Sequence, residues 1–290
     1  QALSIERAQI PEGKRKELES KYLVPAVAAL RASQGGKVGA TPFVDGLIAL
    51  YSKQYDEAIQ RADEAARQAP WLYEAKKLAG DAFFSRAVDG FNTGDRERAA
   101  ADFAQAIERY KEAADKGRSD LRLFMAIAEV HQQWGEMLSN VSPDAITQFE
   151  QSASYVEKSI NTSPHCGECY TKLAWIYASM VLALDMLSEF EKANKVIAKL
   201  ATAIEMGLKY DAESPVLGMT RGIRAHILGR RELHEGRIPF KHYEEAIQHY
   251  HRVLGAHPDF SYCWVSLGFV YLDKAIDSTD LNGTIDDDGL

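Results

Sequence analysis

His165, Cys166 and Cys169 fall within five positions at the head of an apolar run, "HCGECYTKLAWIY". A C-x-x-C at the start of a helix is an activated dithiol, because the positive end of the helix dipole favours thiolate there. The same three side chains could instead supply three of the four ligands of a zinc site. A second C-x-x-C to complete such a site is absent from the sequence. No G-x-G-x-x-G, G-x-x-x-x-G-K-[ST] or G-x-S-x-G occurs either, so no catalytic residue is assigned and a non-enzymatic chain without a cofactor is expected.

Two further groups carry ligand-type residues. His242, His249, His251 and His257 crowd one segment, but histidines that share a metal on a helix are usually four apart, whereas His242 and His249 are seven apart. A solvated helix face is the expected reading. The tail "STDLNGTIDDDG" places Ser278, Asp280, Asn282, Gly283 and Ile285 where a calcium loop has ligands, a turn and a core residue. Its first position lacks a carboxylate and its twelfth is Gly289, so the bidentate ligand is missing. A disordered acidic tail over 276–290 is expected instead.

The elements that hold these residues come from the bulk pattern. The 290 residues are 46% hydrophobic, enough for a substantial core, with 34 Lys and Arg against 42 Asp and Glu and a net charge of -8. No global basic field exists, which disfavours a nucleic-acid partner. The longest apolar run, Leu173 to Leu187, is broken by Asp185 and falls short of the roughly 20 residues that cross a bilayer. Three cysteines make no disulfide framework and point to a reducing compartment such as the cytoplasm. The chain opens on Gln1 without an initiator methionine, from which an excised segment of a longer protein is expected.

Self-similarity organises the rest. Pro70, Pro164 and Pro258 recur every 94 residues, and the residues around them form columns without gaps. Tyr55, Phe149 and Tyr243 precede the prolines in one column, and Ala75, Cys169 and Cys263 follow in another. That column makes Cys169 a small packing residue before it is a ligand. Small residues form a series, Gly46, Gly80, Ala128, Ala174, Gly222 and Gly268, spaced 34, 48, 46, 48 and 46. In "YDEAIQRADEAARQAP" the alanines at 58, 62 and 65 share one helical face. The pattern predicts an all-α chain of helix hairpins, in which a small residue lets paired helices approach and proline stops the second helix.

These residues resemble the tetratricopeptide repeat (TPR) family. "WVSLGFVY", Trp264 to Tyr271, carries its W-x-x-L-G-x-x-Y first-helix pattern, and "YTKLAWIY", Tyr170 to Tyr177, carries it with Tyr for Trp and Ala for Gly. Units of 46 to 48 residues depart from the family and imply helices longer by about a turn and a half each. The resemblance implies a right-handed α-solenoid of antiparallel hairpins over 39–275, about six in number with the last incomplete. Residues 1–38 would form an N-terminal helical cap, interrupted near Pro25, and a loop.

What the resemblance implies about function is a protein or peptide partner on the concave face of first helices. Its groove positions fall at Glu74, Lys77, Asp81, Phe84 and Ser85, at Glu168, Thr171, Trp175, Ala178 and Ser179, and at Tyr262, Val265, Phe269, Leu272 and Asp273. Cochaperone members clamp a terminal carboxylate with Lys, Asn and Arg. Here Lys77 and Arg122 are the only cations and no Asn is present, so an apolar segment flanked by basic residues is the expected ligand. Alternative readings are a regulatory segment of a larger signalling protein such as a bacterial kinase, and a metal or small-molecule sensor using His165, Cys166 and Cys169. Self-association through the incomplete last hairpin is a further expectation.

Overall fold

The computed structural model describes residues 12–33, 41–139 and 142–287, and every regular element among them is helical. The chain divides into two units, 1–137 and 138–290. The first holds α1 (Glu12–Leu18), a π-helical turn (Glu19–Leu23) and α2 (Val24–Ser33). Then come α3 (Thr41–Tyr51), α4 (Tyr55–Gln68), α5 (Tyr73–Asn92), α6 (Arg96–Lys116) and α7 (Leu121–Leu138). The second holds α8 (Asp144–Thr162), α9 (Gly167–Met186), α10 (Phe190–Leu208), α11 (Pro215–His234), α12 (Phe240–Ala256) and α13 (Ser261–Asp287).

The helix lengths explain the uneven repeat. α3 and α4 have 11 and 14 residues, whereas α5 and α6 have 20 and 21, and α9 and α10 have 20 and 19. The later hairpins are therefore longer by roughly two and a half turns in the first helix and one and a half to two in the second. Within the hairpins α3/α4, α5/α6, α9/α10 and α11/α12, the turn carries one left-handed residue, Lys53, Gly94, Ser188 and Gly236 in order. That conformation ends the first helix and reverses the chain within a few residues. In α4 the expected stripe, Ala58, Ala62 and Ala65, is buried, and Ala58 and Ala62 pack with Leu50 and Leu78.

The small-residue series sets how close the helices come. A methyl on Gly80 would lie 2.9 Å from the ring of Tyr110 on α6, and one on Gly222 would overlap the ring of Tyr250 on α12. Both rings are fully buried. Each notch thus accepts an aromatic side chain whose burial contributes about 1.5–3 kcal/mol. Gly268 on α13 shares the column of Gly80, yet nothing among the described residues lies within 4 Å of its methyl position.

Two polar ties reinforce the hairpins. Tyr55 donates to Asp89 at 2.6 Å, and Tyr243 donates to Asp277 at 2.6 Å. These are the same two columns of the repeat. In the repeat between them the positions hold Phe149 and Ala183, both buried, so donor and acceptor are lost together and no orphaned polar atom remains.

At the ends, Pro25 comes just after the π-helical turn, where a wider turn accommodates its missing N–H. Residues 1–11 and 34–40, where the expected N-terminal loop falls, lie outside the described residues, as do 140, 141 and 288–290. Where composition suggests a disordered tail from 276, the backbone is helical as far as Asp287. Packed turns of α13 nucleate the helix, and propagation from a formed helix costs little even for poor helix formers. A calcium loop would need a sharp turn at Gly283, where the backbone is instead helical.

Two stability outcomes follow from this packing. Gly222→Ala should destabilise by about 1–3 kcal/mol through collision with Tyr250, while Gly268→Ala in the same small-residue series should stabilise by up to ~1 kcal/mol through helix propensity. Urea midpoints check this, and equal effects would mean the notch does not limit packing. Tyr243→Phe should cost about 1–3 kcal/mol by stranding Asp277, and adding Asp277→Ala should recover part of it, as Phe149 and Ala183 do naturally.

Candidate peptide-docking wall

The expected site residues separate into an interior set and a surface set. In the first unit, Asp81 is 6% exposed, accepts from the Tyr110 hydroxyl at 2.5 Å and pairs with Lys77 at 2.8 Å. Phe84 is 1% exposed and packs on Phe103 with ring centroids 6.0 Å apart. Both are therefore core residues and not an open lining, because α6 lays Phe103 against Phe84 and Tyr110 against Asp81. Ser85 is buried as well, which leaves Glu74 and Lys77 partly open. Arg122, the other expected cation, is held by Asp120 at 2.8 and 2.9 Å.

The second unit keeps most of its set at or near the surface. Glu168 is exposed, Thr171 caps locally by donating to the Gly167 carbonyl, and Ala178 is buried. Trp175 on α9 meets Tyr262 on α13 edge to face, with centroids 5.7 Å apart. Tyr262, Val265, Phe269 and Leu272 expose 40, 58, 57 and 54% of their surface. Their spacing of three, four and three residues places them on one face of α13. Asp273 at the end of that face is bonded by His226 Nε2 at 2.8 Å and neighboured by Arg230 at 3.6 Å.

The cysteines take a form that composition did not suggest. Cys166 and Cys169 are joined by a disulfide at the start of α9. The Cys166 sulfur also accepts the Cys169 N–H as the helix cap. Cys169 is fully buried in its small-residue column, and burial pushes the thiol of its counterpart Cys263 up to about 11. His165 turns instead to the Tyr210 hydroxyl at 3.2 Å. Among the described residues no group of three or more His, Cys, Asp or Glu is placed to hold a metal, and no helix is long and apolar enough to cross a membrane. His242 and His249 both face Glu245, at 3.4 and 3.8 Å.

No protein-family model matches the chain, and no curated protein matches it. Solved structures do. TTC0263, a thermophilic TPR protein of Thermus thermophilus, is similar over 80% of this chain and 98% of its own, at 17% identity and a TM-score of 0.42. YrrB, described as a TPR protein with an unusual peptide-binding site, is similar over 81% and 95%, at 10% identity and 0.48. MamA is similar over 71% and 95%, at 13% and 0.45. These scores carry no weight alone, and the notched antiparallel hairpins of the chain itself decide the fold. Each unit is an all-α array of antiparallel helix hairpins with elongated helices.

The last first helix, expected to lack a partner, has further apolar exposure at Trp264, Tyr271 and Ile276. Sequence reasoning missed a cleft of about 390 Å³ on the opposite side of α9 from Trp175, between α8 and α10. The signal for the cleft was present in the 94-residue columns, where Met180 and Ala183 interrupt positions that are charged in the flanking repeats.

Burial lowers the His226 pKa below 6.5, opposed by the bond to Asp273. A base whose folded pKa is depressed takes up its proton more readily when unfolded. Its contribution is complete above about pH 6.5 and is lost as pH falls below that value. Thermal midpoints should therefore drop between about pH 7.5 and 5.5, and His226→Gln should flatten the decline. An unchanged slope in the variant would show that His226 is not the sensor.

Proposed function

We propose that the chain is a non-enzymatic scaffold that binds a protein or peptide, and that unit 138–290 docks a basic segment with apolar anchors on its first-helix face. The observation that supports this most is the exposure of Tyr262, Val265, Phe269 and Leu272 on one side of α13, with Trp175 of α9 against Tyr262. Aromatic side chains of this size supply most of the energy in protein interfaces. Glu168 is exposed beside them and no lysine lies among these positions, which favours a cationic flank. Glu74 and Lys77 extend the reading to the first unit only at the margins, since Asp81 and Phe84 are interior.

An arginine-rich peptide containing tryptophan should bind the parent chain more tightly than its glutamate-substituted counterpart. Trp175→Ala with Phe269→Ala should weaken that binding by about tenfold or more, as expected when aromatic anchors are lost. Fluorescence anisotropy with helicity checked by circular dichroism is the measurement. Binding that ignores both substitutions, or a preference for the acidic peptide at this face, overturns the reading.

A further inference from the structure

The cleft between α8 and α10 lies where the repeat gives up its own polar ties. In the first repeat a cleft of about 450 Å³ also lies at these columns, but there Arg86 crosses it, pairing with Asp56 and with Asp102, the latter at 2.6 and 2.8 Å. In the third, Lys274 pairs with Glu244. The same columns in the middle repeat hold Glu150, Met180 and Val196. Glu150 thus faces a thioether where its counterparts face a cation. The adjoining tie is also gone, since Phe149 and Ala183 replace tyrosine and aspartate.

What remains is a floor with opposed charged walls. Tyr177, Met180, Leu184 and Val196 form the bottom of the cleft. Lys192, Lys195 and Lys199 line the α10 side at spacings of three and four, so they share one face. Their columns in the first repeat hold Arg98, Ala101 and Gln105, so no such row of cations exists there. The Lys199 amine lies over the Tyr177 ring, 5.7 Å from its centroid, and Lys192 reaches Glu189 at 3.3 Å. The α8 side carries Glu150 and Glu157, seven residues apart, the latter accepting from the Tyr177 hydroxyl at 2.9 Å.

We propose that this cleft docks a short amphipathic helix of a partner protein, with its apolar stripe on Met180 and Leu184 and an acidic flank along Lys192, Lys195 and Lys199. The charges repeat over roughly 10 Å of each wall, seven residues at 1.5 Å. A single head group would use one of them, whereas a helix of two turns presents carboxylates at the matching interval. Glu150 and Glu157 reject acid on the second flank and so fix which way round the helix lies, as flanking charges do in paired helices. The site is independent of the aromatic face of α9 and α13.

The probe is a labelled three-turn helical peptide with leucine on one stripe, glutamate on one flank and lysine on the other, compared with a version carrying glutamine for glutamate. The parent should bind the first at least about tenfold more tightly. Lys195→Glu with Lys199→Glu, both exposed and safe for folding, should abolish that preference, and a peptide with its charged flanks exchanged should regain binding to this variant. Met180→Arg with Val196→Asp rebuilds the first repeat's triad with Glu150 and should weaken binding at least about tenfold by placing an ion pair across the apolar floor, while Trp175→Ala should leave binding of this peptide unchanged. Equal binding of the two peptides, retention of binding after either pair of substitutions, or competition by octanoate as strong as by the peptide would overturn the proposal.

Discussion

Close approach of helices at a small residue is the constraint on which the rest of this structure depends. A glycine notch fixes where a neighbouring helix can lie, because only there can a tyrosine ring reach the backbone of the facing helix. Gly80 with Tyr110 and Gly222 with Tyr250 show the arrangement in each unit. Once the ring is seated, the register of the whole hairpin is set, and the alanine stripes and leucines beside it pack by default. The left-handed turns and the prolines serve the same end by stopping helices at the length the packing needs.

Elongation of the helices changes what the notch can support. Roughly two additional turns on α6 carry Phe103 over Phe84 and place Tyr110 so that its hydroxyl reaches Asp81. Positions that a shorter repeat would leave open are covered, and their polar groups become internal hydrogen-bond partners. A carboxylate on such a position is then a structural acceptor whose removal would strand a donor. In α13 nothing among the described residues lies within 4 Å of the Gly268 methyl position, and the same columns stay at the surface as a broad apolar face.

Variation between the repeats separates packing from recognition. The Tyr–Asp ties at 55 and 89 and at 243 and 277 are structural, because the middle repeat replaces both members with apolar residues and stays buried. The replacement of Arg86 or Lys274 by Met180 is different in kind. It leaves Glu150 without the cation of its column and coincides with a row of lysines that the first repeat lacks. A change that removes a stabilising pair without filling the space is expected where a surface serves a ligand.

Much of the architecture was legible in the chain. Periodicity fixed the helices, the 94-residue columns fixed the hairpins, and the small-residue series fixed which helices pair, because each of these follows from local geometry and from volume. The long units were legible for the same reason. The disulfide between Cys166 and Cys169 was not, since spacing permits a bridge without distinguishing it from packing. Nor was the fate of the groove positions. Asp81 and Phe84 carry the same motif numbering as Phe269 and Leu272, yet the first pair is interior and the second is at the surface. Exposure depends on whether another helix lies across a face, and that is decided by side chains far along the chain, through contacts that only the tertiary structure makes.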